Sequence, residues 1–149
     1  MKYTGEWCAA FVTACAIKCG ATDIIPVECH CNHMIDKFKK KKAWIENENV
    51  VPAIGDIVFY DWEDDGKGNN IGYANHVGIV ESVDKNKKTF VVIEGNYKKS
   101  VKRRNLKFNA KYLRGFARPK YITDTSKKTA KNCKNNILSR GLNKLIKKK

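Results

Sequence analysis

The stretch Gly5-Glu6-Trp7-Cys8-Ala9-Ala10-Phe11-Val12 opens a helix on a cysteine. From Cys8 onward, Phe11, Val12, Cys15 and Cys19 recur at three- and four-residue spacings. That pattern gives one apolar face and predicts a buried helix over residues 7–19, with Gly20 as its stop. A thiol at a helix start meets backbone N–H groups without intrahelical partners and the positive end of the helix dipole. Both favour the thiolate. Cys8 thus both opens the helix and is its most reactive group.

Downstream of this helix, residues 31–42 predict a second one, with Met34, Ile35 and Phe38 inward and lysines outward. Residues 43–45 read as a short strand or its approach. Pro52-Ala53-Ile54-Gly55-Asp56 is a turn before the apolar strand Ile57-Val58-Phe59-Tyr60. A polar loop follows over 61–72, then a strand over 73–83 that carries His76. Asp84-Lys85-Asn86-Lys87-Lys88 is a hairpin connection, and residues 89–94 pair back. Further strands are expected at 100–104 and 113–118. Short β-rich runs separated by turn signals predict an α+β class, with N-terminal helices packed on an antiparallel sheet.

At 149 residues, with 42% apolar and 30% charged residues, the chain is sized and composed as one globular domain. It contains no run of eighteen apolar residues, so no transmembrane helix is expected. The net charge of +15 is uneven: residues 123–149 hold nine Lys/Arg against one Asp. We expect residues 1–122 to form the catalytic domain and 123–149 a basic linker and tail. Ile137-Leu138, Leu142 and Leu145-Ile146 are spaced for a short basic amphipathic helix. A basic surface attracts nucleic acid, anionic lipid or anionic wall polymers without choosing among them. No base-reading motif and no aromatic–basic interleaving is present, so no specific nucleic-acid partner is expected. Six cysteines (Cys8, Cys15, Cys19, Cys29, Cys31 and Cys133) lack a disulfide framework spacing, and mostly free thiols are expected.

The residue types point to cysteine hydrolysis of an amide. Such chemistry needs a thiolate, an imidazole and donors for an oxyanion. Cys8 would attack, His76 would act as base and then acid, and Glu94 would orient His76, with Asn96 as a second polar contact. The backbone N–H of Cys8 is one oxyanion donor, and Tyr3 and the Trp7 indole are candidates for another. Each residue alone also has a structural reading: Cys8 as packing, His76 as a satisfied strand histidine, Glu94 as the start of a turn.

The segment Tyr3-Thr4-Gly5-Glu6-Trp7-Cys8-Ala9-Ala10-Phe11-Val12 resembles the nucleophile segment of CHAP domains, the cysteine, histidine-dependent amidohydrolases/peptidases. Pro52-Ala53-Ile54-Gly55-Asp56-Ile57-Val58-Phe59-Tyr60, Asn75-His76-Val77-Gly78-Ile79-Val80, Ile93-Glu94-Gly95-Asn96 and Arg114-Gly115-Phe116-Ala117-Arg118-Pro119 resemble later motifs of that family, in order. The resemblance spans residues 3–121. It implies a papain-like, NlpC-type fold and cleavage of bacterial peptidoglycan, by N-acetylmuramoyl-L-alanine amidase or stem or cross-bridge endopeptidase activity. Many such domains occur in phage endolysins, tail-associated lysins and bacterial autolysins. By the same matching, Cys8 is the nucleophile, His76 the base, and Glu94 and Asn96 the polar supports.

Two features depart from the family pattern. Seven residues precede Cys8, where family members often carry a longer segment, sometimes with a calcium-binding loop. The second is the cluster Cys29-His30-Cys31-Asn32-His33, whose spacing fits no strong zinc pattern and reads as coincidental thiols. The acidic loop from Asp61 lacks calcium-loop spacing. No metal and no cofactor is therefore expected. The partners implied are peptidoglycan and, through the basic tail, anionic wall polymers or a membrane surface. The start Met1-Lys2-Tyr3-Thr4-Gly5 lacks the apolar stretch of a secretory signal. Action at the cell wall would then follow phage-type release, or the chain would be a truncated secreted protein. A different class of function is a non-catalytic module that grips wall peptide with the same fold; loss of activity in Cys8→Ala separates the two. A third, suggested only by the charge, is a basic nucleic-acid-binding protein, which a salt-dependent gel shift would favour.

Overall fold

The computed structural model describes residues 6–47, 50–64 and 72–122. Within them the chain runs α1 (Cys8–Lys18), α2 (Cys31–Lys40), β1 (Trp44–Ile45), β2 (Ile57–Tyr60), β3 (His76–Asp84), β4 (Thr89–Tyr97), β5 (Ser100–Lys107) and β6 (Leu113–Ala117). Tyr3, Cys133, the loop beyond Asp64 and the basic segment 123–149 with its expected amphipathic helix lie outside the described residues.

The strands form one sheet in the order β1-β6-β2-β3-β4-β5, with every neighbouring pair antiparallel. This is the α+β architecture that the turn-punctuated sequence implied. Side chains alternate across the sheet. Ile57, Phe59, Val77, Ile79, Ile93 and Ala117 join a core with α1 and α2, while Val58, Tyr60, Val80, Phe90, Val92, Leu113 and Phe116 form a second core. That second core is closed by half-buried Val50, Val83, Leu106 and Phe108. A bulge in β3, between Val80 and Ser82 against β4, locally increases twist and helps the sheet curl.

The helix α1 buries Cys8, Ala9, Phe11, Val12, Cys15 and Ala16. Each large apolar side chain withdrawn here contributes about 1.5–3 kcal/mol. Gly20, at φ +63°, takes the left-handed backbone that ends the helix. The helix lies against β3 and β4. It comes close at Gly95, where a Cβ would stand 2.6 Å from Phe11 Cγ and 3.0 Å from Trp7 Cζ3. Only glycine lets the start of α1 approach the end of β4 this closely, and that approach places Cys8 over the end of the sheet.

The turn before β2 is tied to the end of the domain. Asp56, buried, accepts hydrogen bonds from Arg118 Nε (2.9 Å), Arg118 Nη2 (2.8 Å) and the Ala53 N–H (2.8 Å). The Tyr121 hydroxyl donates to the Gly55 carbonyl at 2.7 Å. The five described cysteines are all free thiols. No helix among the described residues is long and apolar enough to cross a membrane.

Candidate active site

Trp7 occupies the N-cap position of α1, and neither a side-chain cap nor an acidic residue satisfies the first turn. Its leading N–H groups are thus left for another acceptor. One of them, on Ala9, points to the Cys8 sulfur. Cys8 Sγ also lies 3.7 Å from Cys31 Sγ, at the start of α2. The hydrogen bond shared with Cys31 is the largest influence on Cys8. Burial opposes it, but the hydrogen bond and charge of His76 and the Ala9 N–H act with it, and the Cys8 pKa falls to about 5. Cys31 is pushed the other way by Cys8 and by burial.

His76 begins β3, its Cα directly opposite Tyr60 on β2. It is 5% exposed and Cys8 is 3% exposed, so thiol and imidazole are withdrawn from bulk water together. Three aromatic rings surround the imidazole: Trp62 at 5.5 Å between centroids, Tyr60 at 5.6 Å and Tyr97 at 6.2 Å. Trp62 stacks flat on Tyr60, 5.1 Å away, and is the partly exposed member of the group.

Glu94 is fully buried and points to the same face as His76. Gly78, its cross-strand partner, makes room for it: a Cβ there would sit 2.7 Å from Glu94 Cγ and 2.5 Å from Val92 Cγ1. Glu94 Oε1 stands 3.7 Å from His76 Nε2, and that nitrogen is buried without a hydrogen-bond partner among the described residues. The carboxylate's hydrogen bonds go to Arg104 instead, which donates from Nε to Oε2 at 2.5 Å and from Nη2 to Oε1 at 2.7 Å. The guanidinium lies over the rings of Tyr97 (4.4 Å), Tyr60 (5.2 Å) and Trp62 (5.3 Å). Burial works against its charge, but the hydrogen bond and charge of Glu94 outweigh that and raise the Arg104 pKa. Burial and the Glu94 charge push the neighbouring Tyr60 well above its ordinary value.

The other expected contributors fare differently. Asn96 holds a left-handed backbone, φ +60°, where the β4–β5 register slips, and it forms no hydrogen bond with His76. Trp7 packs its ring edge against Gly95. Cys29 is exposed while Cys31 is buried, so the pair diverges. Among the described residues no group of three or more His, Cys, Asp or Glu side chains is placed to hold a metal ion.

The CHAP domain family model matches residues 1–96, a span containing Cys8, His76, Glu94 and Asn96. This chain belongs to the CHAP domain family. Comparison with curated proteins and with solved structures returned no match. The CHAP family is one of peptidoglycan amidases and peptidases, and its members are generally cysteine, histidine-dependent amidohydrolases. Two helices on an antiparallel sheet are the papain-like arrangement of a CHAP domain. In this CHAP domain the matched span stops at β4, yet β6 lies between β1 and β2 in the sheet, so the fold needs residues beyond it.

Two residues of this CHAP domain's site have no distinct motif in the sequence. Cys31 reads there as a coincidental buried thiol. The available signal was that both helices open on a cysteine, which gives each thiol the same unpaired N–H environment. In sequence Arg104 is only a charge in a half-buried phase of β5. In the β4–β5 register it stands opposite Val92 and reaches diagonally to Glu94, whose direct partner is Lys102.

Proposed function

We propose that this chain is a cysteine-dependent peptidoglycan hydrolase that cuts an amide bond, as an N-acetylmuramoyl-L-alanine amidase or a stem or cross-bridge endopeptidase. The observation that carries the reading is the meeting, at the uncapped start of α1, of a buried thiol with the buried His76 imidazole, a contact that lowers the thiol's pKa. Near neutral pH the pair holds Cys8 as thiolate, ready to attack without prior proton loss.

The Cys8 sulfur adds to the amide carbon. The resulting oxyanion takes the backbone N–H of Cys8 at the uncapped start of α1. His76, as imidazolium, gives its proton to the leaving nitrogen, the C–N bond breaks, and the amine departs. A thioester remains on Cys8. His76 then takes a proton from water, whose oxygen attacks the thioester carbon; the carboxylate leaves and the sulfur is restored. The buried Glu94 carboxylate, fixed by Arg104, stabilises the imidazolium by its charge across 3.7 Å. Trp62 and Tyr60 shield the pair from water on one side.

The net charge of +15 would concentrate the enzyme on anionic wall polymers. Lysis from a phage or remodelling of a wall both fit this chemistry. The test is turbidity loss of purified walls. Wild type should clear them, and Cys8→Ala and His76→Ala should each fail while keeping their circular dichroism. Clearing by Cys8→Ala at the wild-type rate would overturn the proposal. Wall binding by wild type without clearing would make the chain a binding module.

A further inference from the structure

Beside the reacting sulfur lies a second thiol that the reaction scheme leaves unused. Cys31 is buried, opens α2 and stands 3.7 Å from Cys8, sulfur to sulfur. At that distance one member of the pair donates its S–H and the other accepts. The surroundings decide which. Cys8 faces the His76 imidazole of β3 and the Ala9 N–H, both of which favour an anion there. Cys31 is 6% exposed and faces Glu6, just before α1, whose negative charge opposes a second anion. Glu94 on β4, paired with Arg104 on β5, stands 3.7 Å from the His76 imidazole and acts on the thiols only through it.

We propose that Cys31 is a further catalytic residue, a neutral thiol whose S–H donates to the Cys8 thiolate and holds it as an anion at acidic and neutral pH. This rests on the hydrolase reading above. The shift of the two thiols in opposite directions accords with one shared proton. During the cycle the donor is needed only while Cys8 carries charge. When the thioester forms, the sulfur's charge is spent and the S–H contact weakens; when water releases the product, the contact returns. Such a donor widens the working range toward acid. It also slightly lowers the intrinsic nucleophilicity of the sulfur, because a stabilised thiolate is a weaker nucleophile.

The test follows alkylation of Cys8 by iodoacetamide from about pH 4 to about pH 9, read on the Cys8 peptide by mass spectrometry. Wild type should show a midpoint near pH 5. Cys31→Ala should move the midpoint up by at least about one unit, making alkylation near pH 4 about tenfold slower and near pH 6 about twofold slower. Its rate at high pH should equal or exceed that of wild type. Cys31→Ser, which keeps an O–H donor, should restore most of the acidic shift. If the alanine protein does not fold, Cys31→Val fills the space without a donor and serves in its place. A profile that coincides with wild type, a fall in plateau without movement of the midpoint, or a serine profile as displaced as the alanine one would overturn the proposal. These readings need no substrate. Failure here with Cys8→Ala still inactive on walls removes only the role of Cys31, whereas clearing of walls by Cys8→Ala removes the hydrolase reading itself.

Discussion

Arg104 and Glu94 form the most exposed weakness of the site at the scale of single residues. Glu94 has no solvent contact, and its carboxylate depends on two donors from one guanidinium. Removing one partner of a buried pair typically costs about 3–5 kcal/mol. Arg104→Ala should therefore lower unfolding stability by about that amount in a denaturant titration, and Arg104→Lys, which cannot match both oxygens, should recover only part of it. Glu94→Gln should slow hydrolysis less than His76→Ala, because the acid–base group remains while its neighbouring charge is lost. Cys15 offers a contrast with Cys8: burial pushes its pKa up to about 12, so it should stay unmodified under conditions that alkylate Cys8. Cys8 and His76 were legible in sequence because a helix-opening thiol and a histidine in an apolar strand are local patterns. Arg104 and Cys31 act through partners 10 and 23 residues away, and no local pattern records such pairings.

Among the elements, the contact of α1 with β4 sets the site. Gly95→Ala would drive a methyl into Phe11 and Trp7, so the helix must lift or tilt. Hydrolysis should fall by more than about tenfold, since small displacements of reacting groups are costly, and the melting temperature should drop as well. The hairpin between β4 and β5 behaves differently. Lys98 and Lys99 both hold positive φ, +51° and +59°, as a two-residue hairpin turn requires, although asparagine and glycine suit such positions far better. Replacing them with Asn and Gly should raise unfolding stability by about 1 kcal/mol and leave hydrolysis unchanged. The same turn explains why β4 reads short in sequence. With no glycine between Tyr97 and Ser100, the strand's last residues carry no turn signal, yet pairing with β5 continues to the Tyr97–Ser100 pair.

Taken as a whole molecule, the chain closes on itself through Arg118 and Asp56, which join the turn before β2 to the segment after β6. Helices on one face of an antiparallel sheet were legible from apolar periodicity. The second core behind the sheet was not, because curling depends on a bulge and on pairings between strands far apart in sequence. The charge of +15 belongs to this scale too. Binding of the full chain to anionic walls should weaken steadily as salt rises, because screening shortens to about 8 Å near physiological ionic strength; affinity indifferent to salt would remove charge from the account. The hydrolase reading is tested most directly by mass spectrometry of purified peptidoglycan incubated with wild type and with folded Cys8→Ala. We expect fragments with new amino and carboxyl ends at one kind of amide bond from the wild type and none from the variant. The same fragments at the same rate from Cys8→Ala would contradict it.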